Sequence, residues 1–65
     1  MKYRLKKDTL WELRFYDYWR ILKAGETCEF STTSKFYTFS EKDDVAPWYS
    51  RLVVENNPEF FEEIT

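Results

Sequence analysis

Met1-Lys2-Tyr3-Arg4-Leu5-Lys6 alternates polar and apolar positions, with Tyr3 and Leu5 on one side and basic residues on the other. This period of two predicts a half-buried strand with a basic outer face. From Thr9 to Ala24 the period changes. Trp11, Phe15, Tyr18 or Trp19, and Leu22 recur at spacings of three and four, which predicts a helix over about 9–24. Thr9 and Glu12 stand at capping-box spacing, Lys23 suits the negative end of such a helix, and Gly25 suits the position just past it. A second reading stays open, because the run from Phe15 to Ile21 is rich in strand formers. A helix here would set Trp11, Phe15, Tyr18 and Leu22 on a sheet and turn Tyr16, Trp19 and Arg20 elsewhere.

Alternation returns at Glu26–Phe30, with Cys28 and Phe30 inward, and again at Phe36–Ser40. With Ser31–Lys35 between them, these segments predict a β-hairpin with a five-residue loop. Glu41–Asp44 reads as a charged loop, Val45–Ser50 as a short helical turn led by Pro47, and Arg51–Glu55 as a strand. Asn57-Pro58-Glu59 combines a capping residue, a first-turn proline and an acid, predicting a short helix through Glu62. The expected architecture is α+β: a small antiparallel sheet or partial barrel, one helix over about 9–24 and a short C-terminal helical turn.

Composition sharpens this picture. The 65 residues carry three Trp, five Tyr and six Phe, and fit one domain, residues 1–65. A domain near this size hides only about 60% of its unfolded surface, so its core cannot shelter fourteen rings. Some rings must face water or a partner. Trp11, Arg14, Tyr16, Tyr18, Trp19 and Arg20 crowd into one short stretch, and Trp, Tyr and Arg are the residue types that anchor protein interfaces. Together with Trp48 and the acids Glu41, Asp43 and Asp44, they form the candidate partner-binding set.

Charge divides the chain. Residues 1–25 hold seven Lys/Arg against three Asp/Glu, whereas residues 26–65 hold three against nine. A bipolar molecule can be steered to a charged partner or can pair with itself. The opening segment is too polar for a signal peptide, and no apolar run is long enough to span a membrane. A lone cysteine offers no internal disulfide, and a reducing, cytoplasmic location is expected.

The chain has no histidine, which removes the usual general base near neutral pH and every Ser-His or Cys-His arrangement. Cys28, mid-strand between Glu26 and Glu29, reads as a structural thiol. One Cys without His cannot bind structural zinc, the 41–44 loop lacks the pattern of a calcium site, and one Gly cannot build a phosphate-cradling loop. No enzyme activity, metal or cofactor is expected. Lys2, Arg4, Lys6, Lys7, Arg14 and Arg20 interleave with Tyr3, Trp11 and Tyr18 as in single-strand nucleic-acid binders, but a sequence pI near 5.0 opposes that use.

Three segments, KYRLKKDT at 2–9, LKAGETCEF at 22–30 and VVENNPEFFEEI at 53–64, resemble small proteins encoded by bacteriophages and prophages. Those proteins pair a basic first strand with a K-A-G turn and end in an acidic N-P-x-x-F-E segment. About half of the chain carries the resemblance, and Leu10–Ile21 departs from it as an apparent insertion. The resemblance implies an SH3-like β domain and a non-enzymatic role in the bacterial host cytoplasm, such as an anti-CRISPR-like inhibitor that occupies a larger bacterial protein. Under it, Glu41, Asp43, Asp44, Glu55, Glu59, Glu62 and Glu63 would imitate nucleic-acid charge. The alternatives are a self-associating accessory protein, meeting as a homodimer, and a single-strand nucleic-acid binder.

Overall fold

A computed structural model describes residues 1–64. The described chain is mostly β. Its strands are β1 (Lys2–Leu5), β2 (Thr9–Leu13), β3 (Tyr18–Leu22), β4 (Thr27–Phe30), β5 (Phe36–Thr38), β6 (Trp48–Ser50) and β7 (Phe61–Glu63), and α1 (Arg51–Glu55) is a short helix. Five strands form one antiparallel sheet in the order β6-β5-β4-β1-β7, and β2 and β3 form a separate two-stranded sheet.

The alternation read in the first strand sets its place. Tyr3 lies opposite Cys28 on β4 and Glu63 on β7, while Leu5 lies opposite Phe61. Leu5, Trp11, Leu22, Cys28, Tyr37, Phe39, Val54 and Phe61 make the core, with Tyr3, Leu13, Tyr18, Phe30, Val45, Tyr49 and Phe60 packed around it. On the other side of β1, Arg4 meets Glu62 at 3.4 Å across its strand pair. This pair is solvated and contributes little.

The predicted hairpin of β4 and β5 forms with its five-residue loop. Ser31 accepts the Ser34 N–H on its hydroxyl and the Lys35 N–H on its carbonyl, and Lys35 takes a left-handed φ of 68° to close the loop. The K-A-G turn also forms. Gly25 has a φ of 99° and donates its N–H to the Leu5 carbonyl at 2.8 Å, a backbone conformation that side chains resist.

The helix predicted over 9–24 does not exist. Those residues form β2, a 3-10 turn at Arg14–Tyr16, and β3. Trp11, Tyr18 and Leu22 face inward under either period, so their spacing does not separate helix from hairpin. Asp17 makes the reversal: it takes a left-handed φ of 50° and donates its N–H to the Arg14 carbonyl, a conformation Asp tolerates better than most residues. The expected capping box is absent, and the Thr9 hydroxyl bonds the Lys7 carbonyl instead.

The C-terminal segments also differ from expectation. Val45–Ser50 ends in strand β6 rather than a helical turn, and Arg51–Glu55 is helix rather than strand. Ser50 explains the switch, because its side chain caps the helix by accepting the Val53 N–H at 3.3 Å. Asn57–Phe60 closes a single turn and hands the chain to β7, where pairing with β1 overrides the helix signal of Asn57-Pro58-Glu59.

Candidate protein-binding surface

The β2–β3 hairpin has two unlike faces, and its register assigns every residue to one of them. Thr9 pairs Leu22, Leu10 pairs Ile21, Trp11 pairs Arg20, Glu12 pairs Trp19, and Leu13 pairs Tyr18. Because side chains alternate along a strand, Thr9, Trp11, Leu13, Tyr18, Arg20 and Leu22 share the inner face. Leu10, Glu12, Trp19 and Ile21 share the outer one.

The inner face is fixed to the rest of the molecule by hydrogen bonds. Trp11 donates its indole N–H to the Trp48 carbonyl at 3.1 Å. The Tyr18 hydroxyl reaches the Lys42 carbonyl at 3.5 Å. Arg20 donates one guanidinium nitrogen to the Ser40 carbonyl at 3.0 Å and the other to Glu26 Oε1 at 2.7 Å. Glu26 Oε2 accepts the Lys23 N–H at 2.8 Å, which ties the ion pair into the K-A-G turn. Asp8 accepts the Ala24 N–H and meets Lys23. These two contacts hold its carboxyl below its ordinary pKa, the Ala24 bond more strongly.

Among the described residues, the side chains of the outer face and the hairpin tip have no such partners. Phe15 is 99% exposed, Tyr16 75% and Trp19 65%, and Leu10 and Ile21 beside them are also exposed. A fully enclosed ring removes roughly 150–250 Å² from water, so these three exposures leave on the order of 500 Å² of aromatic residue surface open. That is already the scale of the largest patch on a typical monomer, roughly 300–600 Å² and often functional.

The predicted partner-binding residues therefore separate. Arg14, Tyr16 and Trp19 lie exposed on the tip and outer face. Trp11 is only 6% exposed and belongs to the core, Tyr18 is half-buried, and the Arg20 side chain keeps 12% of its surface. The expectation that Trp19 and Arg20 point the same way is corrected: neighbours on a strand face opposite sides. Trp48 is partly exposed on the edge strand β6, with its ring edge-on to Trp11 at 5.0 Å. Leu10, Phe15 and Ile21 were not in the predicted set. Alternation within 9–13 and 18–22 was the signal that marks Leu10 and Ile21.

Glu41, Asp43 and Asp44 are exposed on a tight turn between β5 and β6, whose Lys42 carbonyl meets the hydroxyl of the inner-face Tyr18. Lys42 and Val45 bridge that turn with reciprocal backbone bonds of 2.9 and 3.0 Å, and Asp43 and Asp44 take φ of 55° and 63°. Two successive positive φ values mark a primed hairpin turn, where Asp is favoured. Of the other acids, Glu55 accepts the Tyr37 hydroxyl at 2.8 Å and pairs with Arg51 at 3.0 Å. The Tyr37 bond is the main cause holding Glu55 below its ordinary pKa, while burial pushes Tyr37 up.

Burial pushes the Cys28 thiol up to about 11, which keeps it protonated near neutral pH. The rings proposed for stacking on nucleic acid are engaged: Trp11 is buried, Tyr18 half-buried, and Tyr3 edge-on to Tyr37 at 5.3 Å. Among the described residues, no group of three or more Cys, Asp or Glu is placed to hold a metal ion, and no helix is long and apolar enough to cross a membrane. An apolar cavity of about 210 Å³ opens at the hairpin root, lined by Thr9, Tyr49, Val53, Asn57, Phe60 and Phe61. No protein-family model, curated protein or solved structure matches the chain.

Proposed function

We propose that this protein is a non-enzymatic binding module that docks onto another protein through the tip and outer face of its β2–β3 hairpin. One observation carries the reading: Phe15, Tyr16 and Trp19 stand exposed on an element whose opposite face already supplies its attachment to the core. Folding gives these rings no task. Recognition does, because aromatic side chains bring large contact area to an interface core.

The fold reading that accompanies it is an SH3-like partial barrel. A first strand, a long hairpin, a three-strand meander, a short helix and a last strand returning beside the first support it. The resemblance to phage-encoded proteins supports a setting in the bacterial cytoplasm, with a larger host protein such as an immune effector as the eventual target. The acidic turn of Glu41, Asp43 and Asp44 is suited to a basic surface on such a target.

A photo-crosslinking residue tests the docking face. Placed at Phe15 or Trp19 in bacterial cells, it should yield a discrete protein adduct, whereas the same residue at Thr33 in the opposite loop should not. No adduct from either hairpin position would refute the reading.

A further inference from the structure

We infer that the occupant of the hairpin's outer face is a second copy of this chain, so that the protein is a two-fold dimer joined hairpin to hairpin. The inference rests on the reading of this face as a docking surface and names its partner.

Area is the first ground. Leu10 and Ile21 widen the exposed aromatic surface of Phe15, Tyr16 and Trp19 toward the roughly 800 Å² that each partner contributes to a standard interface. One copy against another therefore approaches the lower end of the standard interface class.

Self-compatibility is the second. A two-fold interface sets one patch against itself, so the patch must complement its own chemistry. Leu10, Trp19 and Ile21 are apolar, and apolar surface is its own complement. The charged residues on the face and tip are Glu12, Arg14 and Asp17, which carry both signs and leave a net charge of only −1. None of the three is ion-paired among the described residues. The acidic turn of Glu41, Asp43 and Asp44 would repel its own copy; the hairpin face would not.

The architecture supplies the third ground. β2 and β3 form a two-stranded sheet outside the five-stranded one, covered on one face only. The inner face already packs on the core, and the apolar outer face of Leu10, Trp19 and Ile21 stays open to water. A second hairpin laid on the outer face would make a two-layer sandwich, the usual way in which sheets cover apolar faces. It would also leave the exposed acidic turn of Glu41, Asp43 and Asp44 free for a further target.

Sedimentation equilibrium and light scattering on the full chain test this. At roughly 100 μM, well above a micromolar dissociation constant, the protein should run as a dimer. Trp19→Asp and Phe15→Asp should each raise the dissociation constant by about 30-fold or more while circular dichroism stays unchanged. Leu52→Ser, which alters an exposed apolar residue on α1, should leave the dimer intact. A wild-type monomer at that concentration overturns the dimer. So does a dimer indifferent to both hairpin variants, since another face would then hold it. Adducts distinguish the two failures: a monomer that still crosslinks from Phe15 to a different protein loses the dimer but keeps the docking face, and a monomer with no adduct loses both.

Discussion

Trp11 and Trp48 meet twice: the Trp11 indole N–H bonds the Trp48 carbonyl at 3.1 Å, and the two rings stand edge-on with centroids 5.0 Å apart. This pair joins the two-stranded hairpin to the edge of the five-stranded sheet. Trp11→Ala should therefore cost about 3–5 kcal/mol, comparable to the roughly 3–5 kcal/mol that a small core supplies. Urea titration should find Trp11→Ala largely unfolded. Trp11→Phe, which keeps a ring and loses the bond, should remain folded with a lower midpoint.

Trp19 and Arg20 are adjacent and should behave oppositely. Arg20→Ala strands the half-buried Glu26 carboxylate and the Ser40 carbonyl, and should lower stability by about 1–3 kcal/mol. Trp19→Ala should change monomer stability by no more than about 0.5 kcal/mol. Thermal melts at low protein concentration would measure both. Equal losses would contradict the two-faced hairpin.

Acid should destabilise the protein in part through Asp8 and Glu55. Both carboxyls are held below their ordinary values in the fold, so their stabilisation is present above about pH 4–5, the unfolded carboxylate range, and fades as pH falls through the lower folded values. Denaturation midpoints should be level near pH 6 and drop below about pH 4. Asp8→Asn and Glu55→Gln should each flatten that drop.

Alkali acts through Cys28 with the opposite sign. Its folded thiol titrates at about 11 against an ordinary 9.0, so the unfolded chain releases the proton first. The Cys28 contribution is complete below pH 9 and is lost as pH rises from there through 11. Tyr3, Tyr37 and Tyr49, also raised by burial, join in above the ordinary tyrosine value of 10.0. Cys28→Ala should remove the dependence between pH 9 and 10. A thiol reagent at pH 8 should label native Cys28 far more slowly than the unfolded protein.

The acidic turn offers a test of backbone conformation. Asp44 has a φ of 63°, so Asp44→Gly should raise stability by about 0.5 kcal/mol and Asp44→Val should lower it by about 1–2 kcal/mol. Chemical denaturation of the two variants would show the difference.

Local pattern carried much of the fold. Alternation around Tyr3 and Leu5, around Cys28 and Phe30, and around Tyr37 marked β1, β4 and β5. The glycine and serine turns between strands were equally plain, because a left-handed backbone or a side-chain cap depends on a few adjacent residues. The excess of rings over interior was legible from composition, and exposed rings are there.

The residues that fill the candidate face were only half legible. Trp11, Tyr18 and Leu22 satisfy a helix and a hairpin alike, so their spacing left 9–24 undecided. What selects the hairpin is distant in sequence: the carbonyls of Ser40, Lys42 and Trp48 accept from Arg20, Tyr18 and Trp11. Those bonds fix the strand register, and the register sends Trp19 outward and Arg20 inward.

By itself, then, the sequence determined the β1 and β4–β5 strands, the turns that join them, a thiol suited to burial, and a surplus of aromatic side chains. These follow from nearest-neighbour periodicity, backbone preference and the small volume of a short chain. Tertiary structure alone decided that Leu10–Ile21 is a hairpin and which rings the surplus comprises. A side chain's exposure depends on what packs against it, and the groups that cover Trp11 while leaving Phe15 and Trp19 open lie far along the chain.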